Sequence, residues 1–122
     1  MGQIRRFEDI QAWQRARELT KAVYVATEQG RFAKDFPLRD QIRRASLSIM
    51  LNIAEGFARR SNKEFVRFLF IAHGSTAEVQ SALYVAKDLN YLSATEFDAL
   101  YQHADEIARM LSGFIKYLEN NK

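Results

Sequence analysis

A chain of 122 residues makes one domain of ordinary size, long enough to bury a core without metal or disulfide staples. Its 48% hydrophobic content excludes a disordered chain, its single Pro and five Gly argue against a strand-and-turn fold, and its lack of Cys excludes disulfides, thiolate catalysis and Cys-based zinc sites. The net charge of +3 divides unevenly: residues 1–61 carry 12 basic and 7 acidic side chains, residues 62–122 carry 6 and 8. A basic half of this kind can serve an anionic partner or pair with the acidic half inside the fold. The opening MGQIRRFEDIQAWQ has no apolar signal segment, and no run is long enough to span a membrane. A reducing cytoplasm is the expected setting, with no membrane partner.

Hydrophobic periodicity predicts a single domain over 1–122 built of four helices, at about 7–29, 37–59, 62–90 and 94–119. In the first, Ile10, Trp13, Ala16, Thr20, Val23, Tyr24 and Thr27 recur at three- and four-residue steps, and Gly30 is a natural stop. Pro37 suits the first turn of the second helix. That helix has a core face of Leu38, Ile42, Ala45, Ile49, Ile53, Gly56 and Phe57. A second apolar group, Leu47, Leu51, Ala54 and Ala58, lies roughly 140° away at 100° per residue. A helix that is apolar on two sides must be covered on both. Four helices of one chain can cover one of them, so Leu47, Leu51, Ala54 and Ala58 are expected to meet another copy.

Ser61 with Glu64 forms a capping box for the third helix, whose core face is Phe65, Phe68, Leu69, Ala72, Thr76, Val79, Leu83 and Ala86. Ser93 with Glu96 does the same for the fourth, where Phe97, Leu100, Ala104, Ile107, Leu111, Ile115 and Leu118 follow a near-heptad seam. The polar tail Glu119-Asn120-Asn121-Lys122 is expected to fray. Short connections make sequential helices antiparallel, which gives an all-α, up-down-up-down four-helix bundle. A reversal near Ser61 would bring Arg44 level with Glu78 and Glu55 level with Arg67. Both couples are opposite in sign, and they are expected to face each other as surface salt bridges or as register-setting ion pairs within an oligomer.

No constellation for catalysis stands out. His73 and His103 are too far apart along the axis to share a metal, and no Glu-x-x-His pair is present. No serine lies in a nucleophile elbow, and neither a phosphate-binding loop nor a dinucleotide fingerprint occurs. The expectation is therefore no catalytic residue, no metal, no cofactor and no enzyme activity. Gly74 and Ser75 fall mid-helix, where close helix approach is the natural reason for a glycine. The best binding candidates are basic: Arg59, Arg60 and Lys63 around the second turn, with Arg39 and Arg43 further down the helix. Such residues can hold phosphates without reading sequence, or can form a solvated rim. Nearby Phe57, Phe65 and Phe68 belong to the core pattern, so aromatic interleaving for base stacking is not expected.

The stretch Gln41-Ile42-Arg43-Arg44-Ala45, Ser48-Ile49, Asn52-Ile53-Ala54-Glu55-Gly56 and Arg60-Ser61, continued by Glu64-Phe65, Phe68-Leu69, Ala72, Gly74-Ser75, Glu78, Leu83, Ala86 and Leu89, resembles the bacterial 23S rRNA intervening-sequence proteins. The resemblance covers nearly the whole chain. It implies an antiparallel four-helix bundle that forms homopentamers. It is also similar to accessory proteins of diversity-generating retroelements, which bind nucleic acid and a reverse transcriptase. One departure falls in the first connection, where Arg31-Phe32 and Phe36-Pro37-Leu38 replace the family's usual Phe-Pro and aromatic-Gly-Leu. The function expected is a non-enzymatic homo-oligomeric bundle binding RNA or DNA weakly and non-specifically through arginines. The alternative is a protein–protein interaction scaffold or accessory subunit with an incidental basic rim.

Overall fold

The computed structural model describes residues 4–121; the ends of the expected domain, at Met1 and Lys122, lie outside the described residues. Among the described residues there are four α-helices and no strand: α1 Gln11–Ala26, α2 Phe36–Ala58, α3 Asn62–Asp88 and α4 Ala94–Asn120. Single 3-10 turns precede α1 at Phe7–Asp9 and α2 at Phe32–Lys34. Each helix packs on the next, and α4 returns to α1. No helix among the described residues is long and apolar enough to cross a membrane.

The first helix is shorter than its pattern predicts. The Asp9 carboxylate accepts from the backbone N–H of Arg5 and Arg6 at 3.1 and 3.3 Å, which closes a tight turn before α1. Ile10 then takes an extended conformation and turns inward, 2% exposed. At the other end Thr27 donates its hydroxyl to Val23 O at 2.8 Å, competing with the helix for its last carbonyls. Gly30 has φ +48°, the left-handed geometry expected of a stop, but sits beyond the helix end. The buried face of α1 is also rotated from the one predicted: Leu19 and Ala12 are sealed, whereas Trp13 and Tyr24 are half-buried at its edge.

The cores of α3 and α4 match their periodicity. Every predicted core residue of both helices is buried, and Ser75 and Phe114 join them. Ser93 and Glu96 form the full capping box, with bonds of 2.8 and 3.1 Å. Ser61 accepts from the Glu64 amide at 3.3 Å, but the reciprocal half is missing because the Glu64 carboxylate is taken by Arg67. Asn90, at φ +60°, closes α3 with Tyr91 N–H to Ala86 O and Asn90 N–H to Lys87 O, the six-to-one and five-to-two bonds of a Schellman cap. The end of α4 is ordered one residue further than expected. Asn121 donates to Tyr117 O at 2.7 Å, and Asn62 donates to Asn121 O at 3.3 Å.

Gly56, not Gly74, is the close-approach glycine. A Cβ on Gly56 would lie 2.7 Å from Phe68 Cβ and 3.0 Å from Phe65 Cδ1, so α2 and α3 meet at that point. A Cβ on Gly74 would meet nothing within 4 Å. Above Gly56 the same seam is polar: Ser75 donates to Ser48 Oγ at 2.8 Å, and Asn52 donates to Ser48 O at 2.8 Å. The irregular first connection is well tied. Phe32 is 1% exposed and stacks on Tyr91 at 5.2 Å, Arg31 donates to Leu89 O at 2.9 Å, and Asp35 caps Leu38 N–H while accepting from Tyr91 Oη at 2.9 Å. The hydrogen bond to Asp35 holds the Tyr91 hydroxyl above its ordinary pKa.

Candidate nucleic-acid and assembly surfaces

The five arginine and lysine candidates separate into two groups. Arg39 and Arg43 lie on the α1 side of the first half of α2, where Arg43 reaches Thr27 and Tyr24. Arg59, Arg60 and Lys63 bracket the α2–α3 turn, exposed. Sixteen residues of helix separate Arg43 from Arg59, roughly 24 Å at 1.5 Å per residue. One compact site holding all five is therefore not what the fold builds.

At the turn, Arg59 and Arg67 both lie against Phe68, with guanidinium carbons 5.0 and 4.5 Å from the ring centroid. Their carboxylate partners come from their own helices: Glu55 pairs with Arg59 at 3.1 Å and Glu64 with Arg67 at 3.1 Å. The predicted Glu55–Arg67 pair is thus not made. A partner one turn away on the same helix is reached without crossing the seam. The Arg67 hydrogen bond holds the Glu64 carboxyl below its usual range. Arg44 and Glu78 are both exposed, and neither forms an ion pair among the described residues, so the second predicted pair is also absent in the single chain. Arg60 has φ +57°, a left-handed conformation in which a Cβ-bearing residue is disfavoured by about 1 kcal/mol or more relative to glycine. It sits at the position after the α2 cap where glycine is usual.

Along α1 and the start of α2 the arginines lie on aromatic rings. Arg17 stands 5.8 Å over Trp13, Arg43 4.6 Å over Tyr24 and Arg39 4.7 Å over Phe36. The sequence reading missed these pairs. Two of them had a legible signal, since Trp13–Arg17 and Phe36–Arg39 have helical i,i+4 and i,i+3 spacing. Tyr24 and Arg43 meet only because the chain folds back.

The assembly candidates on α2 run down the side away from the core. Leu51 is 59% exposed and Ala58 is exposed, while Leu47 and Ala54 are half-buried. Across the seam on α3, Phe70 and Ile71 are 56% and 43% exposed. Gly74 is exposed on the same helix.

His103 and His73 are both half-buried. His103 Nε2 lies 3.1 Å from Arg15 O, in a shallow groove also lined by Glu106, Arg109 and Met110. Burial, and then the nearby Arg15 charge, lower its pKa from the ordinary value of 6.5. The acid of this groove, Glu106, is engaged by Arg15, and the groove's Arg109 pairs with Asp105. Among the described residues no three His, Cys, Asp or Glu side chains gather as metal ligands.

The architecture has a solved counterpart. A protein of unknown function from the S23 ribosomal protein family of Bacteroides thetaiotaomicron superposes with a TM-score of 0.79 at 23% identity, over 86% of this chain and 98% of that one. At that identity the likeness speaks for the fold alone. No functionally curated protein matches. The profile of the 23S rRNA-intervening sequence protein family matches residues 8–113, nearly the full length of the four helices. By that match the chain belongs to the family of 23S rRNA-intervening sequence proteins.

Proposed function

We propose that this protein is a non-enzymatic, cytoplasmic, homo-oligomeric bundle of antiparallel helices that binds RNA or DNA weakly and without sequence preference through its arginines. The observation that carries the reading is the outward side of α2 and α3, where Leu51, Phe70 and Ile71 stand exposed in a bundle whose interior is otherwise sealed. Large apolar side chains exposed together on one side of a bundle favour an interaction site. The antiparallel order is supported at two seams, α2–α3 and α3–α4: Ser48 meets Ser75 while Gly56 meets Phe65, and Tyr84 meets Phe97 while Phe65 meets Phe114. Self-association into a ring, with five copies as the family resemblance implies, would cover Leu47, Leu51, Ala54 and Ala58 and would repeat the basic turn around the assembly. Gly74, with open space where its Cβ would be, leaves room for a sister subunit to approach α3 closely.

Nucleic-acid binding is supported by the turn itself. Arg60 occupies a strained backbone position that glycine would fill without penalty, and neither Arg60 nor Lys63 forms a contact ion pair among the described residues. Cations left unpaired on a rim are available to phosphates. The test is the binding of a labelled oligonucleotide followed by anisotropy across a salt series. The parent is expected to bind at low salt with a negative slope of log affinity against log salt. Arg59→Glu with Arg60→Glu is expected to weaken binding and flatten that slope. No binding by the parent at low salt would end the reading. The same exposed apolar side would also suit a different protein partner; a stoichiometric pulldown insensitive to nuclease would favour that scaffold reading instead.

A further inference from the structure

Two observations at the opposite end of α2 from the basic turn point the same way. The first is Phe36, in the first turn of α2 and 58% exposed, whose ring takes no part in the core. The Arg39 guanidinium lies over the ring at 4.7 Å, and the residue as a whole stays more than half exposed. The second is Arg43. It is half-buried, and no carboxylate lies within ion-pairing distance of it among the described residues. Its Nε donates to Thr27 Oγ1 at 2.8 Å, Thr27 in turn donates to Val23 O, and the guanidinium rests on Tyr24 at 4.6 Å. Arg39 is also fixed, by Ala33 O at 3.1 Å and, unlike Arg43, by an ion pair with a carboxylate, Asp40 at 2.9 Å, which offsets part of its charge.

Two arginines one helical turn apart repel each other slightly, by about 0.2–0.5 kcal/mol. Here both are also held in place by groups that do not neutralise Arg43. A guanidinium fastened through Nε keeps its terminal N–H groups for a bidentate oxyanion, and its fixed plane lowers the entropy lost when the anion arrives. A sulfate-like or carboxylate ligand alone would need no aromatic neighbour. An exposed ring beside fixed guanidinium groups suits a ligand in which planar bases alternate with phosphates. Duplex bases are already stacked on one another and cannot reach such a ring, so the ligand is unpaired.

We propose that the α1–α2 side is a site for single-stranded nucleic acid, with an unpaired base stacked on the exposed ring of Phe36 and the backbone phosphates on Arg43 and Arg39. Arg17, exposed on Trp13 and free of an ion pair among the described residues, extends the same track along α1. The inference rests on the nucleic-acid reading above but places contacts about 24 Å from the Arg59–Arg60 turn.

The test measures affinities of the parent, Phe36→Ala, Arg43→Gln and Arg59→Glu/Arg60→Glu for labelled oligouridine and for a duplex of the same length. Circular dichroism and solution mass serve as controls. Phe36→Ala is expected to weaken oligouridine binding roughly five- to a hundredfold, the range for losing one stacked base, without changing the salt slope or the duplex affinity. Arg43→Gln is expected to reduce the single-strand salt slope by about 0.7, the loss of one phosphate contact. Parent-like oligouridine binding by both variants, with loss confined to Arg59→Glu/Arg60→Glu, would overturn this site and leave the broader reading standing. Absence of binding by the parent would overturn both. A Phe36→Ala variant with altered mass and unaltered affinity would assign the ring to assembly and overturn the site. Displacement of oligouridine by polyglutamate at comparable charge concentration, with no Phe36 dependence, would show a general anion surface and also overturn it.

Discussion

The α2–α3 pair meets along a longer inner seam than the α1–α4 pair, and the two pairs also present different outer sides. Apart from Phe36 on the α1–α2 side, Leu51, Phe70, Ile71, Tyr84 and Val85 all stand exposed on α2 and α3, whereas α1 and α4 expose only Val25 and Tyr117 among their large hydrophobic side chains. Outside its seam α4 shows the polar stripe of an ordinary surface helix, with Asp98, Gln102, Glu106, Arg109 and Lys116 facing water. The contrast is the one the proposed assembly needs, with one layer of the bundle covered by sister copies and the other wet. Amphipathicity judged over the whole chain would miss this, because the excess is carried by one pair of helices.

The sharpest way to break the comparison sets two α2 residues against each other. Ile53 is fully buried, and Ile53→Ala is expected to cost about 2–5 kcal/mol of stability, read by denaturant unfolding. Leu51→Ala, two positions away and 59% exposed, is expected to leave the isolated fold within about 0.5 kcal/mol while weakening self-association. Equal losses of stability from both would show that Leu51 belongs to the core. Next in size is Gly56→Ala. The added Cβ would collide with Phe68 Cβ, so a loss of about 1–3 kcal/mol is expected despite the better helix propensity of alanine.

Gly74→Ala sharpens the comparison from the outer side. The new Cβ meets nothing, so a lone chain should gain about 0.5–1 kcal/mol from the removal of a mid-helix glycine. If a sister subunit packs there, the same change should reduce the oligomer's mass; a stability gain with unchanged mass would exclude Gly74 from the contact. The smallest effect belongs to the wet layer. His103 has a lowered pKa in the folded state, so the unfolded chain binds its proton first. The stability this contributes is complete above the ordinary pKa of 6.5 and is lost as pH falls from there toward the folded value. His103→Gln is expected to flatten that part of the melting temperature against pH profile, and an unaltered profile would contradict the burial assigned to the ring.

Much of this was legible in the sequence where one physical signal acted alone. The seams of α3 and α4 are long and strictly periodic, and the reciprocal Ser93–Glu96 cap needs no third partner. Where signals competed, the reading slipped. Trp13 and Tyr24 drew the predicted face of α1 toward themselves, but their size and polar edges suit the rim, and Leu19 fills the core instead. Glu64 was assigned to a capping box and Arg67 to Glu55. In the fold they satisfy each other: Arg67 and Glu64 are one turn apart on one helix, whereas Glu55 lies on α2 and is held by Arg59. Gly74 was read as a contact point and Gly56 only as part of the core face; which glycine lies under a neighbouring helix depends on crossing geometry that periodicity does not encode. The stacking of Arg43 on Tyr24 is likewise tertiary, and it joins two positions nineteen residues apart in sequence.

The proposed assembly closes several copies over the exposed side of α2, and light-scattering mass on a size-exclusion column tests that directly. The account predicts a parent particle of several times the 14.2 kDa chain, five copies being the expected number, that falls to smaller species in Leu51→Glu. A parent that elutes as a stable 14.2 kDa monomer at working concentration, leaving Leu51 in water, would contradict it.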